Sequence, residues 1–164
     1  MVHCYTVLSG VGPFAIPDLD DCSHQVVCLS SCSEAIVDTI TELLNGGDYL
    51  EGYILNDMIS EILFNASDQM NRAIAEELAL AGRRLTRRFS PGEGGMELSW
   101  QAALLACFRE DHALDYIRLT DTFMLVPEKS MLYLFGADEK NPQLSVEHDC
   151  SVCPNVDCFF RTEK

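Results

Sequence analysis

The chain reads as an α+β domain: a mainly antiparallel, twisted sheet with helices packed on it, one of them long. Three observations predict this. Short β-branched apolar runs sit near both ends of the sequence. A long helical apolar pattern, uninterrupted by proline, fills the middle. The resulting order of two strands, three helices and two strands keeps strands together instead of alternating them one by one with helices.

Residues 3–9 (HCYTVLS) and 25–31 (QVVCLSS) are short, apolar and bounded by Gly, Pro, Asp and Ser, as strands are. The segment GPFAIPDLDD between them, with two prolines and three aspartates, reads as a loop. Ser33 and Glu34 open a helix through about Leu44, and Gly46-Gly47 stop it. From Asp48 a second helical pattern recurs at three- and four-residue steps through Leu50, Ile54, Met58, Ile62 and Leu63. It continues through Met70, Ile74, Leu78 and Leu80 to about Leu85. Ile54, Met58 and Ile62 are its expected core stripe. Ser90-Pro91-Gly92 end the pattern, and a shorter helix is expected from about Ser99 to Phe108. Tyr116–Leu125 and Met131–Phe135 are expected to pair as a hairpin across Pro127-Glu128-Lys129. The methionines at helical spacing and the single Trp100 read as core. From Gly136 the chain turns polar, dividing it into a core over 1–138 and a cysteine-rich tail over 139–164.

Hydrophobic residues make up 48% of the 164, enough for a sizeable core. No apolar run reaches the length of a membrane span. MVHCYTV places no Lys or Arg before a hydrophobic region, so no secretory signal is expected. The net charge of −15 repels nucleic acid phosphates. Charge is also uneven: no Lys or Arg precedes Arg72, and Arg83, Arg84, Arg87 and Arg88 then cluster. Three of these arginines read best as the solvated end of the long helix, where cations complement the dipole. An anion-binding edge is the other reading of the cluster.

The chemistry-bearing feature is the tail. Cys150, Cys153 and Cys158 are spaced C-x2-C-x4-C in EHDCSVCPNVDCFFR. A core cysteine needs no neighbours and a disulfide needs one. Three soft thiolates on a short polar loop suit a zinc ion or an iron–sulfur cluster. A fourth ligand is sought in His148 or in Cys4, Cys22, Cys28 or Cys32. Eight cysteines without export features point to a reducing, cytoplasmic setting and to metal-binding thiols, although the even count also fits disulfides.

Two further places are candidates. Asp57 and Glu61, four residues apart, share one face of the long helix. They read either as a solvated acidic face or as a pair for a cation, sulfonium or amine at a pocket margin. The turn RFSPGEGG (88–95) sets an arginine beside glycines that leave backbone groups open to a ligand. Otherwise it is a plain helix-to-helix connection. His3, His24, His112 and His148 show no catalytic pairing, and no G-x-S-x-G, G-x-G-x-x-G or P-loop occurs.

RFSPGEGGMELSWQAALL followed by IRLTDTFMLVPEKSMLYLFG resembles the activation domain of cobalamin-dependent methionine synthase. That family has an R-x-x-P-G-Y turn before a helix, matched by Arg88, Pro91 and Gly92. Its hairpin L-T-E-S-x-x-M-x-P-x-x-S-V-S is matched by Leu119, Thr120, Asp121, Thr122, Met124, Pro127, Lys129 and Ser130. LNDMISE resembles its A-D-x-x-x-E helix segment, with Asp57 and Glu61 as the acidic pair. The resemblance covers roughly residues 25–136 and rests on the order and spacing of three motifs. It implies an activation-domain-like fold that binds S-adenosylmethionine in a shallow groove. Arg88 would hold the ligand carboxylate, Pro91 and Gly92 would meet the adenine and amino acid parts, and Asp57 and Glu61 would lie near the sulfonium. The family tyrosine after the glycine is Glu93 here, an anion in place of a stacking wall. No cobalamin-binding D-x-H-x-x-G segment occurs, so a corrinoid would belong to a partner. Small stand-alone relatives resemble this chain in ending with a similar cysteine segment. The resemblance therefore implies an accessory redox protein whose iron–sulfur cluster helps reduce the cobalt of a corrinoid protein or corrinoid methyltransferase. Three alternatives remain: an S-adenosylmethionine-binding module with structural zinc, a methyltransferase-like presenter of S-adenosylmethionine, and a thiol-only tail with no metal.

Overall fold

The structure is a computed structural model that describes residues 1–9, 14, 16, 19–20, 22–93, 96–108, 114–140 and 156. The fold is α+β. Strands β1 (Val2–Ser9) and β2 (His24–Ser31) are followed by helices α1 (Glu34–Gly46) and α2 (Tyr49–Leu80). Then come β3 (Arg84–Leu85), α3 (Trp100–Ala106), β4 (Arg118–Leu119), β5 (Leu125–Val126) and β6 (Ser130–Asp138).

Four strands form one antiparallel sheet in the order β1-β2-β6-β3. β2 is paired along its whole length on both sides, from Val2↔Ser31 to Ser9↔His24 and from His24↔Ala137 to Ser31↔Ser130. It is buried on both faces, which explains why its sequence is a near-continuous apolar run. On one face Val27, Leu29, Leu132 and Leu134 pack with Phe14, Leu19, Phe89, Leu104 and Ile117. On the other, Val26, Cys28, Tyr133 and Phe135 meet Ile74 and Leu78 of α2. α1 and α2 form a helical hairpin joined at Gly47 and Asp48. Gly52 permits their close approach, because a Cβ there would come within 2.7 Å of Leu44 Cδ2 and 3.3 Å of the Leu44 backbone nitrogen. Among the described residues no helix is long and apolar enough to cross a membrane.

Three sequence-based expectations are corrected. The long helix stops at Leu80, not near Leu85. Gly82 takes φ 74°, the Arg83 N–H bonds back to the Leu78 carbonyl, and buried Leu85 then pairs with Ala137 as part of β3. The arginine cluster consequently lies beyond the helix, and no basic residue occupies its last turn. The expected hairpin partner is also different. β5 pairs with β4 through a turn at Thr120–Met124, while β6 enters the main sheet. β6 is apolar on both faces and belongs where both can be covered.

The third correction concerns the core stripe. Ile54, Met58 and Ile62 are exposed, and so are Leu50 and Leu80. The buried stripe of α2 is Leu63, Ser67, Asn71, Ile74 and Leu78. The helix carries two apolar stripes, and the sheet covers only the later one. Met58, at helical spacing, is thus a surface residue, whereas Trp100 packs against the core beside Phe14. Leu63→Ala should lower the unfolding free energy by about 2–4 kcal/mol, whereas Met58→Ala should stay within about 0.5 kcal/mol of wild type. Urea titrations of both variants check it, and the reverse order would restore the stripe read from sequence.

Candidate functional site

The turn after β3 is held to the sheet by Phe89, which exchanges two 2.9 Å backbone hydrogen bonds with Leu134. Arg88, just before it, lays its guanidinium 5.3 Å from the centre of the Tyr133 ring. Arg87 lies 4.4 Å from the centre of the Phe89 ring. Two of the four clustered arginines thus stack on aromatic faces. Pro91 is buried, and Gly92 takes φ 89°, a conformation that favours glycine. The Gly92 N–H donates to the Met96 carbonyl at 2.8 Å and the Glu93 N–H to the Ser90 carbonyl at 3.1 Å. Two of the backbone donors expected to stay open for a ligand, those of Gly92 and Glu93, are therefore spent within the turn, while Gly94 and Gly95 lie outside the described residues. The Glu93 side chain is exposed.

Asp57 and Glu61 are also exposed. Each carboxylate accepts from an asparagine of its own helix, Asp57 from Asn56 Nδ2 at 3.2 Å and Glu61 from Asn65 Nδ2 at 3.0 Å. Ser60, lying between them, accepts a 2.8 Å hydrogen bond from Lys129 Nζ. The loop before β6 aims that lysine. Its carbonyl accepts from the Cys32 N–H at 2.9 Å, and Ser130 Oγ donates to the Pro127 carbonyl at 2.6 Å and lies 2.7 Å from Ser31 Oγ. The six candidate ligand-binding residues thus fall in two places. Arg88 lies over Tyr133 at the head of the turn that carries Pro91, Gly92 and Glu93. Asp57 and Glu61 flank Ser60 and Lys129, nearer the start of α2.

Cys150, Cys153, Cys158 and His148 lie outside the described residues. Of the other possible ligands, Cys22, Cys28 and Cys32 are buried and Cys4 is half-buried. Burial pushes the thiols of Cys28 and Cys32 upward, and neighbouring Cys4 adds to the effect at Cys28. Cysteine binds metal as the thiolate, so raised thiols suit packing better than ligation. Among the described residues no three His, Cys, Asp or Glu side chains converge on a common metal position.

Two features escaped the sequence reading. A buried polar triad joins α2 to the sheet. Tyr133 Oη donates to Asn71 Oδ1 at 2.9 Å and accepts from Ser67 Oγ at 2.6 Å. Burial pushes the Tyr133 phenol far up, and nearby Cys28 adds to it. The polar Ser67 and Asn71, four residues apart within an apolar stripe, were its only trace in the sequence. The second feature is a cavity of about 360 Å³ lined by Leu105, Phe108, Leu114, Ile117 and Leu119, with Asp115 at its side.

Two measurements probe these polar contacts. Tyr133→Phe strands the Ser67 hydroxyl and the Asn71 carbonyl, and should cost about 1–3 kcal/mol in urea unfolding; an unchanged midpoint would show the triad to be slack. His3, whose Nδ1 lies 3.0 Å from Ser30 Oγ, is held below its ordinary 6.5 by burial and, secondarily, by the N-terminal amine. The folded state therefore resists protonating it. Its contribution to stability is intact above pH 6.5 and is lost as pH falls through the lowered folded value. Thermal melts from pH 7 to 5 should show that loss, and His3→Gln should flatten it. Compared with family models and with curated proteins, the chain matches none.

Proposed function

We propose that this chain is an accessory redox protein in which Cys150, Cys153 and Cys158 hold an iron–sulfur cluster and the α+β scaffold presents it to a corrinoid protein. One observation carries the reading: the five described cysteines are buried or half-buried within the scaffold, while the three late ones follow it as a C-x2-C-x4-C group. Three soft thiolates fit the donor set that iron–sulfur clusters use. The burial of Cys22, Cys28 and Cys32 leaves His148 or half-buried Cys4 as the better fourth ligand. A bound cluster of this type supplies low-potential electrons.

The corrinoid comes from the resemblance to the methionine synthase activation domain, whose task is the reductive reactivation of cobalamin. The chain's own contribution is presentation. Nothing in the proposal requires a ligand in the Arg88–Glu93 turn, because the Gly92 and Glu93 N–H groups are already engaged. The strongly acidic surface makes the encounter with a partner salt-sensitive.

Protein purified without exposure to air should be brown, with broad visible charge-transfer absorption and bound iron and sulfide. Cys153→Ser should abolish the colour and leave the far-ultraviolet circular dichroism unchanged, since the helices are built without the tail. A colourless wild-type protein carrying one zinc would replace the cluster with a structural site. Unfolding of Cys153→Ser would refute the separation of tail and scaffold.

A further inference from the structure

The first half of α2 carries an apolar ridge that the rest of the described protein leaves exposed. Leu50, Ile54, Met58 and Ile62 are 72%, 50%, 55% and 47% exposed. They succeed one another at four-residue steps, a continuous ridge about 18 Å long. Single surface hydrophobes such as Leu80 need no explanation, but a continuous ridge marks an interaction surface. Polar residues at these four positions would cost the helix little, because α1 already packs against it through Gly52 and all four ridge side chains are exposed.

Charge selects the occupant. Glu51, Asp57 and Glu61 lie along the ridge, and all three are exposed. α1 and the first half of α2 contain no Lys or Arg. Two copies meeting on this ridge would bring three carboxylates from each into one seam, against one Lys129 from each held at Ser60, and the whole chain carries −15. The chain's own segment 141–164 is a poor match too. Glu147, Asp149, Asp157 and Glu163 outnumber Arg161 and Lys164, and Val156, its one described residue, is 68% exposed. Phosphate-bearing surfaces of membranes or nucleic acids are repelled by the same carboxylates.

We infer that the Leu50–Ile62 ridge is a docking surface for an amphipathic helix of a partner protein whose apolar face is bordered by Lys or Arg. The ridge packs into the groove of the incoming helix, and the flanking carboxylates meet its cations. The inference rests on α2 alone and holds whether or not the tail carries a metal.

The test uses the full chain and a synthetic amphipathic Leu/Lys helix of about five turns, long enough to span the ridge. A Leu/Glu peptide of the same pattern is the control. The Leu/Lys peptide should bind one to one and protect Met58 from peroxide oxidation. The pair Ile54→Ser and Met58→Ser, which keeps the net charge, should weaken binding by about tenfold or more. Asp57→Asn with Glu61→Gln should weaken it several-fold and flatten its salt dependence. Leu80→Ser should change nothing, and circular dichroism should show every variant folded. Equal binding by wild type and the serine pair would reduce the effect to bulk charge and overturn the inference. Dimerisation abolished by the serine pair, ridge-dependent binding to phosphatidylcholine vesicles, or a Met58 already protected in the protein alone would each assign the ridge to another occupant and overturn it as well.

Discussion

The length of α2 relative to the sheet it covers governs the rest of the molecule. A 32-residue helix runs about 48 Å, whereas the nine residues of β6 span about 30 Å. A helix laid along such a sheet can bury only part of its length on it. The later half of α2, from Leu63 to Leu78, meets β2 and β6 and is buried there. The earlier half has α1 for company, brought close by Gly52, and leaves the Leu50–Ile62 ridge to solvent. The exposed apolar ridge and the seat of Asp57 and Glu61 both follow from that mismatch.

The same packing explains the polar groups inside. Where α2 crosses the sheet, Tyr133 projects from β6 between Ser67 and Asn71, and its hydroxyl is satisfied by both. Asn71 Nδ2 finds no partner among the described residues, a local cost of burying an amide at a helix–sheet contact. Arg88 covers the Tyr133 ring from the turn after β3. Buried polar contacts of this kind tie the register of the helix to the strand, because a shift of one residue would separate Tyr133 from both partners.

The cysteines divide along the same line between scaffold and tail. Cys22, Cys28 and Cys32 fill the core as small apolar residues, with the thiols of Cys28 and Cys32 held neutral by burial. That leaves the late cysteines as the group whose spacing has no packing explanation. The proposed division of labour follows: an acidic scaffold for recognition and a cysteine-rich tail for chemistry.

Several features were determined by the sequence alone. β1, β2 and α1 were legible because short apolar β-branched runs bounded by turn residues and a helix stopped by Gly46-Gly47 are local matters. The α+β class followed from their order. The tail cysteines were legible as a motif because spacing carries their meaning without a fold. What lay beyond the sequence was every choice between equivalent local patterns. Two apolar stripes on α2 have the same period, and only the sheet chose Leu63–Leu78 over Leu50–Ile62. β4, β5 and β6 all look like strands, yet pairing is non-local, and β6 went to β2 because both of its faces needed cover. Arg87 and Arg88 were legible as charges, but their stacking on Phe89 and Tyr133 depends on where separate segments meet. Periodicity says that a face is apolar; the tertiary structure alone supplies the partner that covers it or leaves it bare.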